Sequence, residues 1–324
     1  VNYLTHKKIL KCKHDFFKQI IDRITFIWVK VPISKGNGIM RILSMIFYTL
    51  KVLSPSCTRK LPFPNLIVGS SVHPFAALSA CIIANRLNVP FIFEVRALWP
   101  ETLVAYKKIK QNGIICSLLR ILEKHLYTNA SKIIVTLPNA SEYITSLGIN
   151  KNKIAWVSNG VEIDLYKYVT LKEDNPNIFT LVYLGSHGQS NDLDILLDAM
   201  RIIQKNKISK KRICLKLIGD GPLKESLINK VKSKKISDVS FHTPVQKNDI
   251  PKVTSCADAF VILVPRLPEL YKYGISMNKI FDYLACKRPT LIATDYYPNP
   301  ISESGAGYSV CSGDPASLAN AINR

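Results

Sequence analysis

Three stretches in the second half of the sequence have residue types suited to holding a diphosphate. Leu184-Gly185-Ser186-His187-Gly188 and Leu217-Ile218-Gly219-Asp220-Gly221-Pro222 each close a short apolar run and lead into a helical pattern. Small residues at such a junction let an anion approach backbone N–H groups and a helix N-terminus. A plain tight turn is the alternative for both, and Pro222 suits the first turn of a helix. In the second stretch the glycines also suit packing against a planar base. The third stretch is Tyr271-Lys272-Tyr273-Gly274-Ile275-Ser276-Met277-Asn278-Lys279-Ile280-Phe281-Asp282-Tyr283. Ser276 reads as an N-cap, Asn278 opens the helix with free N–H groups, and Lys272 and Lys279 add two cations at that mouth. A solvated face is the plain alternative for each lysine. Asp282 lies deeper in the same helix, where a carboxylate can accept both hydroxyls of a ribose.

These groups need elements to hold them, and the hydrophobic pattern supplies a βαβα rhythm from Asn65 onward. Strands are expected at Leu66–Gly69, Phe91–Val95, Ile133–Thr136 and Ile154–Val157, with helices at Phe75–Leu87, Ile114–Thr128 and Ala140–Leu147. Towards the front, Val1–Leu4 reads as the tail of a strand and Ile24–Val31 as another. The helical pattern Met40–Leu53 is apolar on most faces; it suits a buried core helix or a lipid-facing surface aided by flanking Lys and Arg. The polar segment Asn159–Asn177 reads as a linker. The rhythm then restarts with strands Phe179–Leu184, Ile213–Ile218, Val239–Phe241, Ala259–Val264 and Thr290–Ala293, and helices Leu193–Gln204, Leu223–Lys232, Asp249–Ser255 and Asn278–Cys286. The expected fold is therefore α/β, with two doubly wound Rossmann-like domains at 1–166 and 167–324.

The 324 residues carry a formal charge of +21. Residues 1–60 hold twelve Lys/Arg against Asp15 and Asp22, whereas residues 169–324 hold 21 against 15, so the excess is concentrated at the front. Such a front suits nucleic acid, an anionic membrane or a phosphorylated substrate. No aromatic-basic platform or recognition-helix pattern favours nucleic acid. The eight cysteines have no metal-ligand spacing and read as reduced residues of a cytoplasmic protein. Leu61–Asn85 lacks Asp, Glu, Lys and Arg, but three prolines and Gly69-Ser70-Ser71 break it, against a membrane span. The chain opens on Val and ends within a helical pattern, which reads as a trimmed piece.

With Glu94-Val95-Arg96-Ala97-Leu98-Trp99-Pro100-Glu101 and Val157-Ser158-Asn159-Gly160-Val161 placed ahead of the three donor-side stretches, the order of motifs resembles glycosyltransferase family 4 over nearly the whole chain. The nearest branch resembles the L-fucosamine-transferase-like enzymes of bacterial surface-polysaccharide assembly. The resemblance implies a GT-B fold, an N-terminal acceptor domain, a C-terminal donor domain and a nucleotide sugar, with UDP expected, bound in the cleft between them. It implies retaining, metal-independent transfer of a hexosyl or N-acetylhexosaminyl group, without a cofactor, in lipopolysaccharide O-antigen or capsule synthesis. The basic front suggests an acceptor carried on a membrane, a polyprenyl-diphosphate-linked sugar or another saccharide, and with it a peripheral position on the cytoplasmic membrane. Arg96, His187, Lys272 and Lys279 are then the expected catalytic groups, with Arg96 and His187 facing the sugar. Gly185, Ser186, Gly188, Gly219, Asp220, Gly221, Ser276, Asn278 and Asp282 bind the donor, and Glu94, Trp99 and Glu101 lie on the acceptor side. The family's Arg-Asp-x-Trp-Pro-Glu reads Arg96-Ala97-Leu98-Trp99-Pro100-Glu101 here, and the sequence is expected to begin after the family's first strand and Gly-rich loop and to stop before its last helices. Those departures leave open an alternative, a catalytically impaired homologue that binds a nucleotide sugar as a non-enzymatic partner.

Overall fold

The computed structural model describes residues 15–33, 39–58, 61–167, 175–206 and 209–324. The chain divides into two compact units, Val1–Val157 and Ser158–Arg324. That division falls ahead of the expected 166/167 boundary because the first part of the supposed linker belongs to the second unit. Asn159 Nδ2 donates to the carbonyl and hydroxyl oxygens of Ser276 at 2.8 and 3.0 Å, and Tyr166 Oη donates to Asp282 at 2.9 Å.

In the first unit, β1 (Phe16–Ile21) and β2 (Ile24–Val29) form an antiparallel hairpin closed by Asp22 and Arg23, both at positive φ. Only the second strand was legible in the sequence, since Asp22-Arg23 lacks the glycine that usually marks a two-residue hairpin turn. The expected strand tail Val1–Leu4 lies outside the described residues. Strands β3 (Ile67–Ser70), β4 (Phe91–Val95), β5 (Lys132–Val135) and β6 (Ile154–Trp156) form a parallel sheet in that order. Helices α1 (Ile39–Leu53), α2 (Pro74–Leu87), α3 (Ile114–Asn129) and α4 (Ala140–Ser146) accompany it. Helix α2 starts sharply: His73 Nδ1 accepts the Ala76 N–H and Pro74 fills the first turn. Its Ala77, Cys81 and Ala84 are buried, as are Phe91, Phe93 and Val95 of β4. Helix α1 is not a buried core helix. Met40, Ile42, Leu43, Ile46, Phe47 and Leu50 are exposed, and Thr49 ties it down by donating to the Phe75 carbonyl of α2.

In the second unit, β7 (Ile178–Leu184), β8 (Arg212–Ile218), β9 (Val239–His242), β10 (Ala259–Leu263), β11 (Thr290–Ala293) and β12 (Gly307–Val310) form one parallel sheet, ordered β12-β11-β10-β7-β8-β9. Leu181 and Tyr183 of β7 pack on one face with Leu196, Leu197 and Met200 of α5 (Leu193–Asn206). Val182 and Leu184 pack on the other face with Ile280 and Tyr283. Both faces of β7 and β10 are covered, which explains their unbroken apolar runs. Helices α6 (Lys224–Ser233), α7 (Asn278–Ala285) and α8 (Pro315–Asn323) complete the layers. Because β7 and β10 are neighbours, the strand order reverses between them, and doubly wound sheets bind ligands outside the carboxyl ends at such a point.

Candidate active site

The carboxyl ends of β7 and β8 are held together through glycines. Gly185 N–H donates to the Ile218 carbonyl at 2.9 Å, while a Cβ on Gly219, at φ +147°, would lie 1.9 Å from the Gly185 oxygen. No other residue fits at 219. A Cβ on Gly221 would meet the His187 backbone at 2.5 Å, so this turn lies flat against the preceding loop. His187 N–H donates to the Asp220 carbonyl at 2.8 Å, and Asp220 Oδ1 accepts the Gly221 N–H at 2.8 Å. The resulting pocket of about 240 Å³ is lined by Leu184, Gly185, Ser186, Ile218, Gly219, Asp220, Pro244 and Val245. Lys224 ties the ends of β8 and β9 together by donating to the carbonyls of Gly219 and His242 at 2.8 and 3.1 Å.

Lys279, in the first turn of α7, reaches the same glycine turn. Its Nζ donates to Tyr183 Oη at 2.9 Å and Asn191 Oδ1 at 2.7 Å, and sits 4.2 Å from the centroid of the Tyr183 ring. A Cβ on Gly185 would come within 2.9 Å of that Nζ. Tyr183 and Asn191 also donate to the Ser186 carbonyl, at 2.8 and 3.0 Å, which fixes the loop carrying Gly185, Ser186 and Gly188. Both partners of the ammonium are neutral, and burial pulls its pKa down to about 7. A partly desolvated cation beside a glycine turn, at the N-terminus of an eight-residue helix with no side-chain cap, is suited to a diphosphate.

Three expectations about this unit are corrected, and a fourth is narrowed. Ser276 is not the N-cap of α7: Met277 holds that position, in extended backbone, and the Ser276 hydroxyl instead accepts from Asn159. Lys272 does not offer a second free cation to match Lys279. It pairs with Glu269 at 2.6 Å on the surface and lies over the Tyr273 ring. His187 does not face open space for a sugar, because its ring is fully buried between Tyr183 and Phe241 and neither nitrogen has a hydrogen-bond partner. Burial, then Lys224, lowers its pKa and favours the neutral imidazole. Asp282 is buried, and its Oδ1 is already used by Lys247 at 2.5 Å and Tyr166 at 2.9 Å. A ribose would have to meet its other oxygen or displace the half-exposed Lys247.

In the first unit, Ser71 organises the carboxyl end of β4. Its hydroxyl accepts the Arg96 and Ala97 N–H groups at 2.8 and 3.4 Å, its carbonyl accepts the Trp99 indole N–H at 3.1 Å, and its N–H donates to the Glu94 carbonyl. Trp99 is thus fixed from within, and the Arg96 side chain is left exposed. Glu101 accepts both Nε and a terminal nitrogen of Arg120, at 3.2 and 2.9 Å, a role that joins its helical turn to α3. Sequence reasoning missed Ser71, and it missed Glu123, a buried carboxylate of α3 that accepts from Tyr127 at 2.9 Å and Tyr143 of α4 at 2.8 Å. Burial raises its pKa to about 8.

Residues 178–324 match the family described as Glycosyl transferases group 1, and residues 25–160 match the Glycosyl transferase 4-like domain. Sucrose-phosphate synthase from Thermosynechococcus elongatus has the same fold, with a TM-score of 0.70 at 15% identity over 96% of this chain and 76% of that one. The chain is a GT-B glycosyltransferase. The transferase is also 20% identical over 309 residues to the probable glycosyltransferase WbjE of Pseudomonas aeruginosa, covering 91% of this chain and 74% of the relative. Its fold is shared with HepE of Anabaena in complex with UDP, with a TM-score of 0.61 at 16% identity over 85% of this chain and 71% of that one. HepE has also been solved with UDP-glucose. Within this transferase, Lys279 with Tyr183 and Asn191, the Gly185 and Gly219 turns and the Asp220 loop come together. Asn191, Tyr183, Lys224, Lys247 and Tyr166 had no motif to mark them, since each makes at least one of its contacts with a residue distant in sequence.

Proposed function

We propose that this glycosyltransferase moves a hexosyl or N-acetylhexosaminyl group from a UDP-sugar to a lipid-linked or saccharide acceptor in bacterial surface-polysaccharide assembly, such as O-antigen or capsule. The observation that carries this reading is the Lys279 ammonium, held by neutral partners beside the Gly185 turn and next to a pocket of base-like dimensions. In this reading the base lies against Gly219, Asp220 and Pro244, and the diphosphate lies against Gly185, Ser186 and the N-terminus of α7. The likeness to HepE supports UDP as the nucleotide, and the likeness to WbjE supports a surface-polysaccharide role and the L-fucosamine-transferase-like branch.

The bond between the anomeric carbon and the diphosphate oxygen breaks with its electron pair leaving on the phosphate. The acceptor hydroxyl oxygen bonds to the same face of the sugar, and its proton passes to the departing phosphate oxygen. Lys279 and the N–H groups of the α7 N-terminus stabilise the charge that develops, a task that metal-independent transfer assigns to the chain itself. Arg96 stands at the exposed end of β4 for the acceptor side. Attachment to the inner face of the cytoplasmic membrane suits the basic front and a lipid-linked acceptor. The non-enzymatic alternative is not favoured, because both parts of the chain match transferase families. A thermal-shift panel of UDP, GDP, ADP and their sugars tests the donor. Stabilisation by UDP ligands above the others is expected; stabilisation by GDP or ADP alone, or by none, overturns the reading.

A further inference from the structure

The outer face of α3 carries the most exposed aliphatic stripe among the described helices of the first unit. Ile114, Ile115, Leu118 and Ile121 are 80, 62, 60 and 66% exposed, while Cys116, Glu123, Leu126 and Tyr127 on the opposite side are buried. Spacings of four and three residues place Ile114, Leu118 and Ile121 in one stripe along the helix. Immediately before the helix, the turn holding Lys107, Lys108 and Lys110 is exposed, and Arg120 pins it by donating to the Gln111 carbonyl. From Thr102 to Leu122 the sequence contains no Asp or Glu. Towards the other end Lys124 and His125 are exposed as well.

We infer that the exposed stripe of α3 is a membrane-docking surface that enters the headgroup region of an anionic bilayer, with Lys107, Lys108, Lys110 and Lys124 at lipid phosphates. This names the contact face for the membrane attachment proposed above, and it rests on that reading. Two features select lipid over a protein partner. The stripe is wholly aliphatic, without the Trp, Tyr or Arg that anchor protein interfaces. Apart from Arg120, which is paired with Glu101, its charged neighbours are lysines, which are depleted in protein interfaces but whose long stems can lie along acyl chains with the ammonium at the headgroups. A helix with an aliphatic face and a cationic border lies in the bilayer interface plane.

Flotation with vesicles of phosphatidylglycerol and phosphatidylcholine, compared with phosphatidylcholine alone, tests the inference on the whole chain. The variants are Leu118→Gln/Ile121→Gln on α3 and Ile42→Gln/Leu50→Gln on α1, whose outer face is also apolar and exposed. Circular dichroism and the nucleotide thermal shift report that each variant is folded. Wild type is expected to float with the anionic vesicles, with affinity falling by at least about tenfold in the α3 variant and much less in the α1 variant. Wild type that binds no vesicle overturns the membrane reading and this inference together. Undiminished binding by the folded α3 variant, or loss confined to the α1 variant, overturns the α3 surface alone. A wild-type dimer in sedimentation that the α3 substitutions abolish also overturns it, because the occupant is then a second copy.

Discussion

A lysine ammonium whose partners are a phenol and a carboxamide gives up hydration without gaining a counter-charge, and at Lys279 that holds the pKa near 7. The free protein therefore carries a partly neutral lysine at neutral pH, and a bound diphosphate favours the charged form. Affinity for a UDP-sugar is expected to fall as pH rises above 7, by at most about tenfold per pH unit, and titration calorimetry across that range measures it. The folded pKa lies below the unfolded one, so the same group makes the ligand-free fold gain stability as pH rises from about 7 towards the ordinary lysine value of 10.5. Lys279→Ala is expected to lower turnover roughly hundredfold with the fold intact; near-normal turnover removes Lys279 from the mechanism. Asp282 offers a sharper test because Lys247 and Tyr166 occupy Oδ1. If its other oxygen holds the ribose, Asp282→Asn should erase the preference for UDP over its 2′-deoxy analogue in binding assays. An unchanged preference assigns Asp282 to the Lys247 and Tyr166 network alone. At Ala97, where the related family carries Asp, the backbone N–H is held by Ser71, so Ala97→Asp adds a carboxylate to a fixed turn. Turnover or donor affinity is expected to rise, and steady-state kinetics unchanged in both would show that the position does not contribute.

At the scale of elements, helices α3 and α4 are joined through one buried carboxylate. Glu123 accepts from Tyr127 of its own helix and Tyr143 of α4, in surroundings where desolvation outweighs those two hydrogen bonds. Its folded pKa is raised to about 8 from 4.5, so the folded state keeps a proton that the unfolded chain has lost. Stability from this group is complete below about pH 4.5 and is lost as pH rises through 8. Glu123→Gln should flatten that part of the stability profile, read as denaturation midpoints at pH 5.5 and pH 8 in urea. An identical slope in both proteins would locate the pH dependence elsewhere. The elements that hold the donor-side residues were legible because β7 and β10 are covered on both faces and read as apolar runs, and because β7 and β8 each lead into a glycine. The hairpin partner β1 was not, because its alternation is interrupted by Lys18 and Gln19 and its turn has no glycine. The short strand β12 escaped for a related reason: it is partly exposed at the sheet edge, and Ser309 breaks its apolar run.

Over the whole molecule, the +21 charge acts through solvent and is screened, whereas an aliphatic stripe is not. Vesicle binding is therefore expected to fall when salt is raised from about 0.15 to 1 M, as the Debye length shrinks from about 8 to 3 Å, without disappearing. Complete loss in high salt, measured by flotation, would mean that charge alone holds the protein. By itself the sequence determined the two-part α/β plan, the parallel sheets and the order of glycine-bearing strand ends, because strand and helix periodicities and glycine turns are local properties. It also singled out Gly185, Gly219, Asp220 and Lys279, which the fold gathers around one glycine turn and its pocket. Tertiary structure decided which charges remain available. Lys272 is neutralised by Glu269, Asp282 by Lys247, and Glu101 by Arg120, whereas Lys279 meets only neutral oxygens. It also decided that His187 is enclosed and that the outer face of α3 is bare. Those outcomes depend on desolvation and on partners far apart in the chain, neither of which has a local signature in sequence.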